Sequence, residues 1–495
     1  MFTGWTRLRC TQLSSTIHQQ LYKSTLASSR TTGSNSSINE YDICIVGAGM
    51  VGSTLAVSLA TNPITSALRI ALIDSNKIQS SSDKLSEIPN IRVSSITTYN
   101  AAQYKSMGVW NLLKRINEFN RMYVNECYNN QSHIEWLAEQ CNTDVLGYIV
   151  ENNILTDALY DRIYSMKSNN SCNIDLYDNI TINKIGHSYK SIIPNTYPVI
   201  RYNNDELLSC KLLVGADGPN SLVKQFAQIS SVGYHYNQHA VVATVKLAKS
   251  HHTAYQRFLP NGPVALLPCH DNYSNVVWST TPQHAKYLTS CTEQQFINDL
   301  NSVYNIPSGN QWRSGGQSQL FDIIPNQLSE LFPILFAKPS NHIPPSVTTV
   351  CDKRVSFPLQ FVHSLNYIHQ RIALIGDSAH VIHPLAGQGV NLGISDALTL
   401  SNIISTGVSN GQDIGDELLL QQYQSIQQRS NLLMMTGIDT IGRIFRWNDG
   451  GLPTLRNIGI TVLNSIPAIK NRIAGIAMGL NTTQPIQQQQ KQSVL

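Results

Sequence analysis

The sequence predicts an α/β protein in which a nucleotide-binding parallel sheet is discontinuous along the chain and a mostly antiparallel sheet is inserted between its parts. Three observations predict it. Residues 41–74 read as strand, glycine turn, helix and strand, which is a βαβ unit. Residues 211–224 and 371–396 each repeat an apolar strand that ends in Gly and Asp, so later segments return to the same sheet edge. Between them, residues 234–280 are rich in Val, Tyr and Trp around a Pro-Asn-Gly turn at 260–262, the pattern of antiparallel strands.

In the first unit Ile43, Cys44, Ile45 and Val46 form a buried strand, and Gly47, Gly49 and Gly52 spell GxGxxG. The first two glycines permit a tight turn and close approach of backbone to a pyrophosphate, and Gly52 lets helix pack on strand. Leu55, Ala56, Leu59 and Ala60 keep helical spacing, and the second strand, 70–73, closes at Asp74, where an acceptor for a ribose hydroxyl belongs. Residues 91–96 read as a loop leading into a helix. Arg92 there is either a phosphate contact or an ordinary surface residue. Helical spacing is read at Trp110, Leu112, Leu113 and Ile116, and again at Ile134, Trp136 and Leu137. Residues 149–166 begin as a strand and become an amphipathic helix, and Ser221 is a helix start after Gly215, Asp217 and Gly218. Residues 307–350 carry Pro, Ser, Gly and Asn without period and read as an irregular insertion.

Residues 371–396 organise the rest. Ile372 to Ile375 is a strand that ends at Gly376 and Asp377; a loop with Pro384, Gly387, Gln388 and Gly389 follows, and a helix starts from about Asn391. Asp377 can accept hydrogen bonds from ligand hydroxyls. The helix start turns free N–H groups and a positive dipole end into the same place, which suits an anion.

Composition excludes several classes. The first forty residues carry Arg7, Arg9, Lys23 and Arg30 and no acid before Glu40, which is the composition of a mitochondrial transit peptide; a disordered tail is the plainer alternative. Without them the counts are 31 basic (35 less 4) against 30 acidic (31 less 1), so bulk electrostatics give no case for nucleic acid. The nine cysteines are scattered with no CxxC, so no disulfide framework and no metal site is expected. No apolar run is long enough to span a bilayer. Residues 446–480, apolar but interrupted by Arg456, Pro467, Lys470 and Arg472, are read as a C-terminal helical segment, its basic residues suiting a membrane surface, or else packed on the core. The expected division is 1–40 transit peptide, 41–230 first part of the nucleotide domain with pieces of the substrate domain, 231–365 substrate domain, 366–445 second part, and 481–495 a disordered tail.

The GxGxxG turn, Gly215-Ala216-Asp217-Gly218, and Gly376-Asp377 with Pro384, Gly387, Gln388 and Gly389 together resemble the aromatic-hydroxylase class of single-component FAD monooxygenases, over essentially residues 41–480. Arg92 to Ile96, Arg121-Met122, Gly147 to Asn152, Ala254 to Pro263 and Val277 to Thr280 are most similar to the ubiquinone-biosynthesis members of that class. Lys224 departs from an Arg usual in that class, and Asn125-Glu126-Cys127 departs from its pattern after Met122.

The resemblance implies a p-hydroxybenzoate hydroxylase-like fold and an FAD cofactor. Gly47, Gly49 and Gly52 would lie at the pyrophosphate, Asp74 at the adenosine ribose and Arg92 by the flavin-proximal phosphate or ribose. Gly376 and Asp377 would lie at the ribityl and pyrophosphate region, and the backbone N–H groups of Gly389, Val390 and Asn391 at the flavin O2 edge. Asp217 would support the cofactor site and, in relatives, reductant binding. No side-chain catalyst is implied beyond the flavin C4a-hydroperoxide, and His380, His383 and Pro384 are neighbours in the loop. It also implies a polyprenylated 4-hydroxybenzoate-type substrate and dioxygen, hydroxylation at ring C5, electrons from a ferredoxin and its reductase, and membership of a ubiquinone-biosynthesis multi-enzyme complex. The implied place is the matrix side of the mitochondrial inner membrane, peripherally bound. The alternatives are another flavin monooxygenase, such as a soluble phenol hydroxylase or epoxidase, and a non-enzymatic binding protein for prenylated ligands.

Overall fold

The computed structural model describes residues 38–446 apart from 81–84, 128–132, 188–196, 204 and 306–341, with isolated positions between 456 and 475. The segments read as transit peptide and disordered tail lie outside these residues, save for residues 38–40, of which Asn39 and Glu40 begin the first strand.

One sheet orders the strands Ile372–Leu374, Glu206–Gly215, Asn39–Val46, Ile70–Ile73 and Ile174–Tyr177, each parallel to the next, with Ile368–His369 and Pro198–Tyr202 added antiparallel on the first and second of them. Their apolar runs follow from burial on both faces: Ile43, Cys44 and Ile45 are fully buried, as are Leu72 and Ile73. The sheet is assembled from distant parts of the sequence, as the repeated strand-Gly-Asp elements predict. The helix Met50–Thr61 covers one face and packs against a later helix, Gly389–Ser409.

The second sheet has nine strands, and Ser231–Leu247 is its axis, paired on one side with Tyr273–Thr280 and on the other with Val355–Ser364. Gly262–Pro268 and Thr253–Leu259 continue it, the turn between them falling at the Pro-Asn-Gly sequence. Helices Pro282–Ser290 and Glu293–Asn305 bury Leu288, Phe296 and Leu300 with Trp278 and Val264. A small third sheet joins Val93–Thr97, Gly147–Glu151 and Asn117–Phe119. The long helix Glu417–Arg446 runs from the first sheet, where Tyr423 donates to Leu374 O, to the second, where Ile438 packs with Phe258 and Leu385.

Several local readings change. Residues 93–97 are a strand, not a loop, and their partner is Gly147–Glu151. Ile134, Trp136 and Leu137 lie in a strand, His133–Leu137, paired with Arg121–Glu126. Their apparent helical spacing is also compatible with alternation at 134 and 136, and the edge of the large sheet decides between the two. Trp110–Leu112 is a single 3₁₀ turn. The stretch read as irregular closes in a regular strand, Val347–Val350, on the axis strand; most of the rest of it lies outside the described residues.

In the C-terminal segment two of the interrupting basic residues turn inward. Arg456 meets Glu126 at 2.6 Å with both side chains buried, and Lys470 Nζ donates to Gln140 Oε1 at 3.0 Å. Among the described residues no helix is long and apolar enough to cross a membrane.

Candidate active site

The carboxyl ends of four parallel strands meet at one edge of the first sheet, and each is followed by a site segment: Gly47, Asp74, Asp217 and Asp377. The glycines there do different jobs. Gly47 has φ +104°, and a Cβ on it would stand 2.2 Å from the Ala216 carbonyl oxygen. Its constraint is therefore the crossing segment 215–217. A Cβ on Gly52 would stand 1.9 Å from Gly47 O, so it seats the helix against the turn. Gly49 faces open space, so it is the glycine that leaves room for a ligand. The helix it begins has no side-chain cap and no acid in its first turn, which leaves its N–H groups for an anion. Tyr160 OH donates to Ala48 O at 2.8 Å and holds the turn from the other side.

Asp74 Oδ2 accepts from Ala48 N at 2.7 Å, and Oδ1 accepts from Asn76 N at 2.8 Å. Oδ1 also accepts from Asn76 Nδ2 at 3.1 Å, so the second lone pair of Oδ2 is the one left for a hydroxyl donor. Arg92 is exposed; its backbone is tied by Asn90 Oδ1 and Asn152 N, which leaves the side chain to swing.

Asp217 joins two loops. Oδ2 accepts from Leu222 N at 2.7 Å at the head of a short helix, and Oδ1 accepts from Ser378 Oγ at 3.1 Å. Ser378 Oγ in turn accepts from Gly218 N at 3.0 Å. Asp217 thus fixes the turn beside Asp377 from within the protein.

Asp377 is exposed at this edge. Desolvation by the neighbouring protein raises its carboxyl above the ordinary value, with His380 opposing and the Asp396 charge adding. No described residue donates to it. An exposed acceptor without a donor among the described residues fits ligand hydroxyls.

Beneath it is a buried network. Asp396 Oδ2 accepts from His380 Nε2 at 2.6 Å and from Gly376 N at 2.9 Å, and Oδ1 accepts from Asn431 Nδ2 at 2.8 Å. Burial alone would push the His380 imidazole down, but the adjacent Asp396 outweighs it and holds it above the ordinary value. Gly376 has φ +61° and packs on Val51 of the first glycine turn, so the two cofactor segments touch directly.

In the loop Pro384–Gly389, Gly387 has φ +62° and lies against Ser95. The helix begins at Gly389, two residues earlier than Asn391. Its first turn has no side-chain cap, and Gly389 faces open space. The Asn391 side chain is a staple: Nδ2 donates to Ser95 O at 2.7 Å, while Oδ1 accepts from Thr97 N at 3.1 Å and Asn100 Nδ2 at 2.9 Å. This leaves the N–H groups of Gly389, Val390 and Asn391 as the part available to a flavin edge. Gln388 is buried at the turn. His383 is neutral, pushed down to about 4 by burial and then by Arg446, and its Nδ1 accepts from Leu385 N at 3.2 Å. Sequence reasoning missed Ser378, Asp396, Asn431 and Tyr160. Only Asp396 carried a signal, as an acid on the buried face of the helix that the loop begins.

The residues fit FAD: two uncapped helix starts, two glycines facing open space and an undonated acceptor line one edge. The FAD binding domain family model matches residues 339–434. Among solved structures, p-nitrophenol 4-monooxygenase from Pseudomonas putida superposes with a TM-score of 0.64 at 15% identity, covering 90% of this chain and all of that one. Anhydrotetracycline hydroxylase from Streptomyces rimosus gives 0.60 at 15% identity, over 90% and 77%. Among curated relatives, the mitochondrial ubiquinone biosynthesis monooxygenase COQ6 of Dictyostelium discoideum is 37% identical over 90% of this chain and 94% of its own length. The Homo sapiens protein of the same name is 33% identical, over 88% and 92%.

Fold and site together define an FAD-dependent monooxygenase with the aromatic-hydroxylase architecture. More particularly, the chain belongs to the ubiquinone-biosynthesis monooxygenase family.

Proposed function

We propose that this enzyme hydroxylates C5 of the ring of a polyprenylated 4-hydroxybenzoate-type intermediate, with FAD supplying the oxygen chemistry as its C4a-hydroperoxide. The observation that carries the substrate reading is an amphipathic cavity between the flavin loop and the large sheet. His383 and Leu385 line it from the loop, Tyr236, Gln238 and Phe258 from the sheet, and Ile438, Asp439 and Arg446 from the last helix. Its apolar side continues into a cluster of Val124, Met122, Trp136, Ile382 and Met434. A polar wall beside a long apolar one suits an acid that carries a prenyl tail. Asp74, Arg92 and Asp377 would hold the ribose, phosphate and ribityl parts of the cofactor, and the Gly389 helix start would take up the negative charge of the reduced ring.

The chain carries one complete GxGxxG and so no second dedicated nicotinamide domain of that kind, which permits electron supply by a ferredoxin and its reductase. The amino-terminal composition and the names of the relatives support a mitochondrial place, peripheral on the matrix side of the inner membrane and within a multi-enzyme complex. Turnover of a prenylated 4-hydroxybenzoate with reduced ferredoxin or with NADPH tests the reading. Ferredoxin is expected to support it and NADPH alone is not. Oxidation of simple phenols by NADPH, with prenylated acids ignored, would assign a soluble phenol hydroxylase instead.

A further inference from the structure

The polar wall of that cavity holds one guanidinium group, that of Arg446, and one carboxylate, that of Asp439. Asp439 already accepts three hydrogen bonds. Its Oδ1 accepts from Tyr236 OH at 3.0 Å and from Tyr234 OH, and its Oδ2 accepts from Arg443 Nε at 2.7 Å. Arg443 therefore has its counter-charge. Arg446 has no carboxylate within ion-pair distance among the described residues. Its Nε donates to Gly442 O at 3.0 Å, its Nη1 reaches Gln238 Oε1 at 3.4 Å, and its guanidinium lies 5.3 Å from the centre of the Tyr236 ring. The Tyr236 ring stands edge-on to His383 at 5.1 Å, so this guanidinium is one aromatic ring away from the flavin loop. Asp439 is paired by Arg443 from outside the cavity lining, so Arg446 is the charged group of the wall that no described residue neutralises.

Resting on the substrate reading above, we propose that Arg446 is the specificity-determining residue that recognises the ring carboxylate of the substrate. Gln238 and the Tyr236 face hold the planar guanidinium so that Nη2 is left for the carboxylate. The carboxylate then brings the ring's opposite end toward His383 and Leu385, and the tail lies along Phe258 and Ile438. The cavity holds about 10 Å³ as it stands, about one water, so the ring enters as the end of the helix Glu417–Arg446 yields. A cation at that helix end gives the acid, and not its decarboxylated analogue, a charged contact in the cavity.

The test uses the FAD-loaded full chain and reads dissociation constants from the change in flavin absorbance. The ligands are a short-tailed prenyl 4-hydroxybenzoate and the matching prenyl phenol without the carboxylate. A charge-assisted contact of about 1.5–3 kcal/mol predicts that wild type prefers the acid by roughly 10- to 150-fold. Arg446→Gln should remove that preference while its affinity for the phenol stays within about twofold, and Arg446→Lys should restore part of it. Flavin content equal to wild type confirms that the variants are folded. An unchanged acid preference in Arg446→Gln overturns the proposal and leaves the substrate reading standing. Wild type that binds neither ligand overturns the substrate reading, and the role of Arg446 with it.

Discussion

Asp377 is an acceptor without an internal donor, and this separates it from every other acid of the site. Asp74, Asp217 and Asp396 are all engaged by backbone or side-chain donors of the protein. Replacing Asp377 by Ala removes no internal bond and exposes no buried donor. The loss then falls on the cofactor: FAD should bind roughly 10- to 100-fold more weakly. Flavin absorbance after desalting measures this, and full retention of FAD would remove Asp377 from the cofactor site. Gly389→Val is the contrast. A Cβ there meets no protein atom, so the chain should fold and keep FAD while turnover falls at least tenfold, because the side chain stands in the space left at the helix start. These residues were legible because each follows a strand end or precedes a helix. Gly47 was legible as a turn, but not the reason for it, since Ala216 lies far along the chain.

At the scale of elements, the flavin loop is held by groups that local sequence does not connect. Asn391 ties it to the strand Val93–Thr97, and Asp396 ties its strand end to His380 and Asn431. That strand was read as a loop because its partner, Gly147–Glu151, is more than fifty residues away, and only pairing makes it a strand. The buried His380–Asp396 pair gives a pH prediction. The imidazole is held above its ordinary value of 6.5, so the folded state binds the proton more tightly than the unfolded state. Its stabilisation is complete below about pH 6.5 and is lost as pH rises through the raised folded value. The difference in Tm between wild type and His380→Gln should therefore be largest at mildly acidic pH and shrink toward alkaline pH. A difference that grows with pH would show that the proton is not held there. Burial and Asp396 would then have the opposite balance.

For the whole molecule, the discontinuous nucleotide sheet and the inserted antiparallel sheet were legible. Strand-Gly-Asp elements recur along the chain, and the strands of the second sheet alternate or carry Val, Tyr and Trp. What joins the two sheets was not legible. The helix Glu417–Arg446 reads as one amphipathic run, yet Tyr423 serves the first sheet and Ile438 the second, and only the assembled fold separates those duties. The same holds for the C-terminal basic residues. Arg456 suggested a membrane face in the sequence, whereas in the fold it meets the buried Glu126 of the large sheet. Partners so distant in sequence leave no local pattern. The cavity lies where these three bodies meet, so its polar and apolar walls became visible only in the structure.

The most direct test of the account is turnover under ¹⁸O₂ with ferredoxin as electron donor, followed by mass spectrometry and NMR of the product. The account predicts one labelled oxygen atom at ring C5 of the prenylated 4-hydroxybenzoate. Label at another ring position, or reduced flavin reoxidised with no label in the prenylated acid, would contradict it.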